Sequence, residues 1–180
     1  NLHGCGFARI RRASAHEDLH VGVPRDQLFV GKPRRFHNQQ PVVNAVAEFV
    51  NLVIESIKPD LIQFHGDETP EFCQQFDFPY IRATRMRDDL DISSEVLRYS
   101  DSKWFLFDAF HVGAYGGTGE KFDWNRLPSL RDYALILAGG LTPENVVTAI
   151  ETVSPDMVDV SGGVETEPGV KDELKVRLFI

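Results

Sequence analysis

The sequence predicts an α/β fold, a TIM-type (β/α)8 barrel whose N-terminal third is shortened or irregular. Five short apolar runs, at 61–64, 80–84, 104–107, 135–138 and 157–160, read as buried strands. Their starts lie 19, 24, 31 and 22 residues apart, which leaves room for a helix in each interval and suits a repeated strand–helix unit, hence a parallel sheet. Each run ends in polar or glycine residues: His65-Gly66, Arg85, Asp108, Gly139-Gly140 and Ser161-Gly162-Gly163. A β/α barrel assembles its active site from the C-terminal ends of its strands, so five such ends define one rim. An open doubly wound sheet would also place ligands at strand ends, but the glycine fingerprint expected after its first strand is absent.

Taken in chain order, the first 60 residues are the least regular. Residues 8–28 show neither the helical nor the strand period, and only 42–57 forms a helical pattern. Three strands of a full barrel would have to fit here, in a chain shorter than the roughly 200 residues such a barrel usually needs. The run at 61–64 is followed by a helix expected at 70–76, and the run at 80–84 by one at 89–99. After 104–107 the glycines of GGTG (116–119) predict a loop that could cover the site. After 135–138 a helix is expected over 142–152, with Thr142 as cap, Pro143 in the first turn and Glu144 at the positive end of the dipole.

With 42% hydrophobic and 26% charged residues in 180, the chain reads as one globular domain spanning 1–180. Its net charge of -8 opposes binding along a nucleic acid backbone, although backbone N–H groups could still capture a small anion. Two cysteines, Cys5 and Cys73, make no disulfide framework and point to a reducing compartment. Residues 1–12 lack the apolar stretch of a signal peptide and no run is long enough to span a bilayer, so a soluble, cytoplasmic protein without membrane contacts is expected. Cys73, inside a predicted helix, is read as packing.

The loops carry the chemistry. AGGL (138–141) with TPEN behind it, and SGGVE (161–165), supply glycines where backbone must approach an anion closely. They occupy the places where barrels commonly bind phosphate, so Gly139, Gly140, Ser161, Gly162 and Gly163 are candidate phosphate ligands. Asp108 follows an apolar strand whose surroundings disfavour a carboxylate and favour a proton-bearing acid. His65 is read either as a substrate contact at the rim or as a side chain orienting a loop by hydrogen bonding, and Arg85 as a substrate contact or a partner of Glu68 or another rim carboxylate.

The segments LIQFHGDE (61–68), YIRATRM (80–86), FLFDAF (105–110), YGGTGEKFDW (115–124), LILAGGLTPENV (135–146) and VDVSGGVETEPGVKD (158–172), in this order and spacing, together resemble phosphoribosylanthranilate isomerase. The resemblance implies an Amadori rearrangement in tryptophan biosynthesis. The ribose ring of N-(5-phosphoribosyl)anthranilate opens and the aminoaldose becomes an aminoketose, with an acid to protonate the ring oxygen and a base to take the proton from the adjacent carbon. It implies no metal and no other cofactor, and a small sugar phosphate as the binding partner of a monomer or homodimer.

By the same resemblance Asp108 takes the place of the general acid and Cys5, in HGCGF, that of the general base; only Cys5-Gly6 of the family's Lys-Ile-Cys-Gly motif is retained. The family's arginine for the anthranilate carboxylate corresponds to Arg35 when counted from Phe29 without a gap, and to Arg34 when Pro-Arg is matched, in FVGKPRRF (29–36). Two other readings keep the barrel and its phosphate loops: a non-catalytic or degenerate phosphate-ligand-binding barrel, and an isomerase of a related sugar phosphate.

Overall fold

The computed structural model describes residues 8–11, 28–30, 40–108, 123–128 and 130–180. The strands are β1 (Ala8–Arg11), β2 (Leu28–Val30), β3 (Ile62–Phe64), β4 (Tyr80–Arg85), β5 (Trp104–Asp108), β6 (Leu135–Ala138) and β7 (Met157–Val160), with β8 (Glu165–Glu167) and β9 (Val170–Lys171) forming a small separate hairpin. The helices are α1 (Gln40–Ile57), α2 (Pro70–Gln74), α3 (Ile92–Arg98), α4 (Val146–Val153) and α5 (Glu173–Phe179). Among the described residues, no helix is long and apolar enough to cross a membrane.

β2 to β7 lie side by side in chain order, every pair parallel, and β1 closes the row against β7 in the antiparallel sense. A doubly wound sheet reverses its strand order at a switch point; this one advances in a single direction, which is the winding of a β/α barrel. Side-chain burial separates the two faces accordingly. Ile62, Phe64, Tyr80, Phe105, Phe107, Leu135, Leu137, Val158 and Val160 pack with helix residues Val50, Cys73, Ala149, Val153 and Phe179 in one cluster. The opposite face holds a smaller cluster of strand residues, Ile81, Ala83, Leu106, Ile136, Ala138 and Met157, without a helix residue among the described ones. Helices on one face and a small apolar layer on the other make the inner face the barrel interior. Strands buried on both faces read as continuous apolar runs, and this is why β4 to β7 were visible in the sequence.

The five expected strands are present at their expected places, and the helix expected over 42–57 is α1, starting two residues earlier. Of the three strands sought in the first 60 residues, two are described, β1 and β2, and at four and three residues they are too short to register as a period. Two helix starts need correction. The helix expected from 89 begins at Ile92, because Asp91 accepts hydrogen bonds from Ser94 N–H (3.2 Å) and Ser94 Oγ (2.8 Å) and so caps it. The helix expected from 142 begins at Val146: Asn145 Oδ1 accepts from Thr142 N–H (2.8 Å) and its Nδ2 donates to Gly140 O (2.9 Å), closing a separate turn between strand and helix. The sequence reading also missed α5 and the β8–β9 hairpin after the last glycine loop.

Candidate functional site

Side chains alternate across a strand, so the inner parity set by Ile81, Ala83, Leu106, Ile136 and Met157 dictates which polar residues enter the barrel. Counting on from them brings Arg85, Asp108 and Asp159 to the inner face, and the same parity on β3 brings Gln63 and His65. Arg85 and Asp108 are register partners on adjacent strands, and Asp108 neighbours Ala138. His65 Nε2 lies 3.8 Å from Asp108 Oδ2. A cavity of about 500 Å³ opens here, with Gln63, His65, Asp108 and Asp159 on one side and the two glycine loops on the other.

The loops depend on glycine at two points. Gly139 and Gly140 have φ of +85° and +65°, the left-handed region that side chains disfavour. At Gly163 a Cβ would stand 1.7 Å from the carbonyl oxygen of Leu141, so the loop after β7 packs backbone to backbone on the loop after β6. From behind, Lys171 Nζ donates to Ser161 O (3.0 Å) and Lys175 Nζ to Glu165 O (2.6 Å). The result is a backbone-lined pocket wall joined to the start of a helical segment, chemically suited to an anion.

On the outer face, Arg82 ties the neighbouring loop down. Its Nε donates to Glu95 Oε1 (3.1 Å), its Nη1 to Gly66 O (3.2 Å) and Glu68 Oε2 (3.4 Å), and its guanidinium lies 4.3 Å from the centre of the Tyr99 ring. Gly66 N–H donates to Glu68 Oε2 (2.8 Å), and Tyr99 OH to Glu68 O (2.7 Å). Glu68 therefore pairs with Arg82; of the alternatives given for Arg85, pairing with Glu68 is corrected, because Arg82 and Arg85 point to opposite faces of β4.

Electrostatically, burial holds the His65 imidazole below its usual pKa; Asp108 pulls it back up, while Arg85 and Arg82 reinforce the depression. The imidazole is thus neutral near pH 7. Cys73 sits in the outer core, where burial pushes its thiol up to about 12, in keeping with packing.

Of the expected site residues, the structure brings His65, Asp108, Gly139, Gly140, Ser161, Gly162 and Gly163 to one cavity; Arg85 is the register partner of Asp108 and lines a neighbouring cavity with His65, Glu68 and Arg82. Cys5, Arg34, Arg35 and the 116–119 loop lie outside the described residues. Sequence reasoning missed Gln63 and Asp159. Each is a polar residue inside an apolar run, IQF and VDV; that interruption was the only signal in the sequence, and the face each takes comes from the packing of its neighbours.

A singly wound β/α barrel with two glycine loops and a half-buried carboxyl lining one cavity at its strand ends defines the class: a β/α-barrel protein with its candidate site at the C-terminal rim of the strands. The model of the family described as N-(5'-phosphoribosyl)anthranilate (PRA) isomerase matches residues 21–180. The chain belongs to that family. It is similar to the N-(5'-phosphoribosyl)anthranilate isomerase of Azotobacter vinelandii, with 42% identity over 192 aligned positions that cover 98% of this chain and 93% of the relative. The crystal structure of phosphoribosyl anthranilate isomerase from Thermotoga maritima is similar at a TM-score of 0.63 and 36% identity, covering 74% of this chain and 65% of that one. A structure of the enzyme in complex with reduced 1-(o-carboxyphenylamino)-1-deoxyribulose 5-phosphate is similar at a TM-score of 0.60 and 33% identity, covering 74% of this chain and 63% of that one. The chain thus spans about two thirds of these solved relatives.

Proposed function

We propose that the chain, as a single barrel domain, catalyses the Amadori rearrangement of N-(5-phosphoribosyl)anthranilate to 1-(2-carboxyphenylamino)-1-deoxyribulose 5-phosphate in tryptophan biosynthesis. The observation that carries this reading is the placement of Asp108 on the inner face, in one cavity with the two glycine loops. A phosphate seated on the backbone of Gly139–Gly140 and Ser161–Gly163 anchors one end of the sugar. Asp108 then protonates the furanose ring oxygen as the C–O bond breaks, and the nitrogen lone pair forms the Schiff base. Cys5 takes the proton from the adjacent carbon as a thiolate, and the resulting enolamine tautomerises to the ketose. Arg34 or Arg35 receives the anthranilate carboxylate, with Arg85 and His65 at the rim beside the substrate.

The chain's own side chains suffice for this proton traffic without a cofactor. The acidic net charge suits a freely diffusing biosynthetic enzyme of the cytoplasm, and its assembly is that of a monomer or homodimer, which sedimentation distinguishes. Turnover of N-(5-phosphoribosyl)anthranilate by the purified protein is the test. Asp108→Asn and Cys5→Ser are expected to abolish it while leaving binding of the product in place. Tight product binding by the unaltered chain without turnover would overturn the assignment of activity and leave a phosphate-binding barrel.

A further inference from the structure

We propose that His65 is a positioning residue for the proton donor: its Nε2–H donates to Oδ2 of the Asp108 carboxyl, leaving Oδ1 to carry the transferable proton. The proposal rests on Asp108 acting as the acid of the rearrangement.

Three observations converge on it. His65 Nε2 and Asp108 Oδ2 face each other across one cavity at 3.8 Å, on the inner face of the sheet. Nε2 is buried and has no hydrogen-bond partner among the described residues, a costly condition that a shift of about 1 Å toward Oδ2 relieves. The backbone carrying His65 is also held: Gly66 N–H and O are both bonded, to Glu68 and Arg82, and a Cβ at Gly66 would meet Glu68 Oε1 at 2.6 Å. Catalytic hydrogen bonds are often long in an empty site and tighten when substrate closes it.

The protonation states fit the role. A neutral imidazole offers Asp108 a hydrogen bond without adding a second charge beside the acid. Burial, with Arg85 on β4 and Arg82 behind it, keeps His65 neutral against the opposing pull of Asp108 and Glu68; among the described residues Asp159 on β7 also faces the cavity. A neutral Nε2–H can bond the carbonyl oxygen of the protonated acid. As the proton leaves Oδ1 for the ring oxygen, negative charge spreads to Oδ2 and the same bond becomes charge-assisted, so it strengthens along the reaction.

The test compares two variants. His65→Phe keeps the ring volume without the donor, and His65→Gln returns an N–H near the place of Nε2. His65→Phe is expected to lower kcat about 10- to 100-fold with KM nearly unchanged, the worth of one charge-assisted hydrogen bond, and His65→Gln to recover most of the loss. An unchanged kcat in His65→Phe, or equal impairment of both variants, overturns the proposal. Nitrogen-15 NMR of the unaltered protein is the second arm and needs no turnover: the neutral Nε2–H tautomer is expected at pH 7.5. An Nδ1–H tautomer or an imidazolium there overturns the proposal, whereas an inactive wild type carrying the Nε2–H tautomer would count against the activity and not against this bond.

Discussion

His65 shows how one burial event reaches both stability and chemistry. Its pKa is lowered in the folded state, so between that value and the ordinary value near 6.5 the unfolded chain binds a proton that the folded chain does not. Stability conferred by the neutral ring is therefore complete above pH 6.5 and is lost as pH falls through that window. Urea unfolding across pH 5 to 8 is expected to show a decline below 6.5 that His65→Phe flattens; an identical slope in the variant would contradict this account. At the same scale, His65 and Asp108 were legible in the sequence because each ends an apolar run, whereas Gln63 and Asp159 were hidden inside theirs. A single polar residue in a strand has no local sign of which face it takes, and only the neighbours' packing supplies it.

At the scale of elements, β3 and β4 are joined through a buried ionic network rather than through apolar contact alone. Arg82 and Glu68 have side chains 8% and 7% exposed, so removing the cation leaves nearly buried carboxylates without it. Arg82→Met is expected to cost about 3–5 kcal/mol of unfolding free energy, measured by denaturant titration, because Glu68 and Glu95 lose their common partner. The network was not legible in the sequence: Arg82 sits between Ile81 and Ala83 and looks like an interruption of a strand, and its partners come from two other segments. The glycine loops behave differently. Gly163→Ala must push the backbone away from Leu141 O, and a loss of about 1–3 kcal/mol in stability is expected together with weaker binding of inorganic phosphate by calorimetry. Wild-type phosphate affinity in that variant would separate loop contact from anion binding.

For the whole molecule, the cavity proposed to bind phosphate joins segments distant in sequence, the loops after β6 and β7 and the inner ends of β3 and β5. A ligand that bridges them binds the folded chain and not the unfolded one. Inorganic phosphate, and more strongly the phosphorylated product, is expected to raise the unfolding temperature, with about 2.7 kcal/mol of added stability at a hundredfold excess over Kd. A thermal scan showing no shift at saturating product would remove the pocket from the functional account.

The sequence by itself determined the alternation of strands and helices from residue 61 onward, the polar and glycine residues that end each strand, and the family. These are local properties: a run buried on both faces must be apolar, a helix fills the interval of a parallel crossover, and a left-handed turn demands glycine. Only the tertiary structure decided that the strands advance in one direction without a switch point, which fixes the inner face. It likewise turned Arg82 outward to Glu68 and Glu95 while placing His65 beside Asp108. Order, register and parity arise from pairing between distant segments, so no window of the chain contains them.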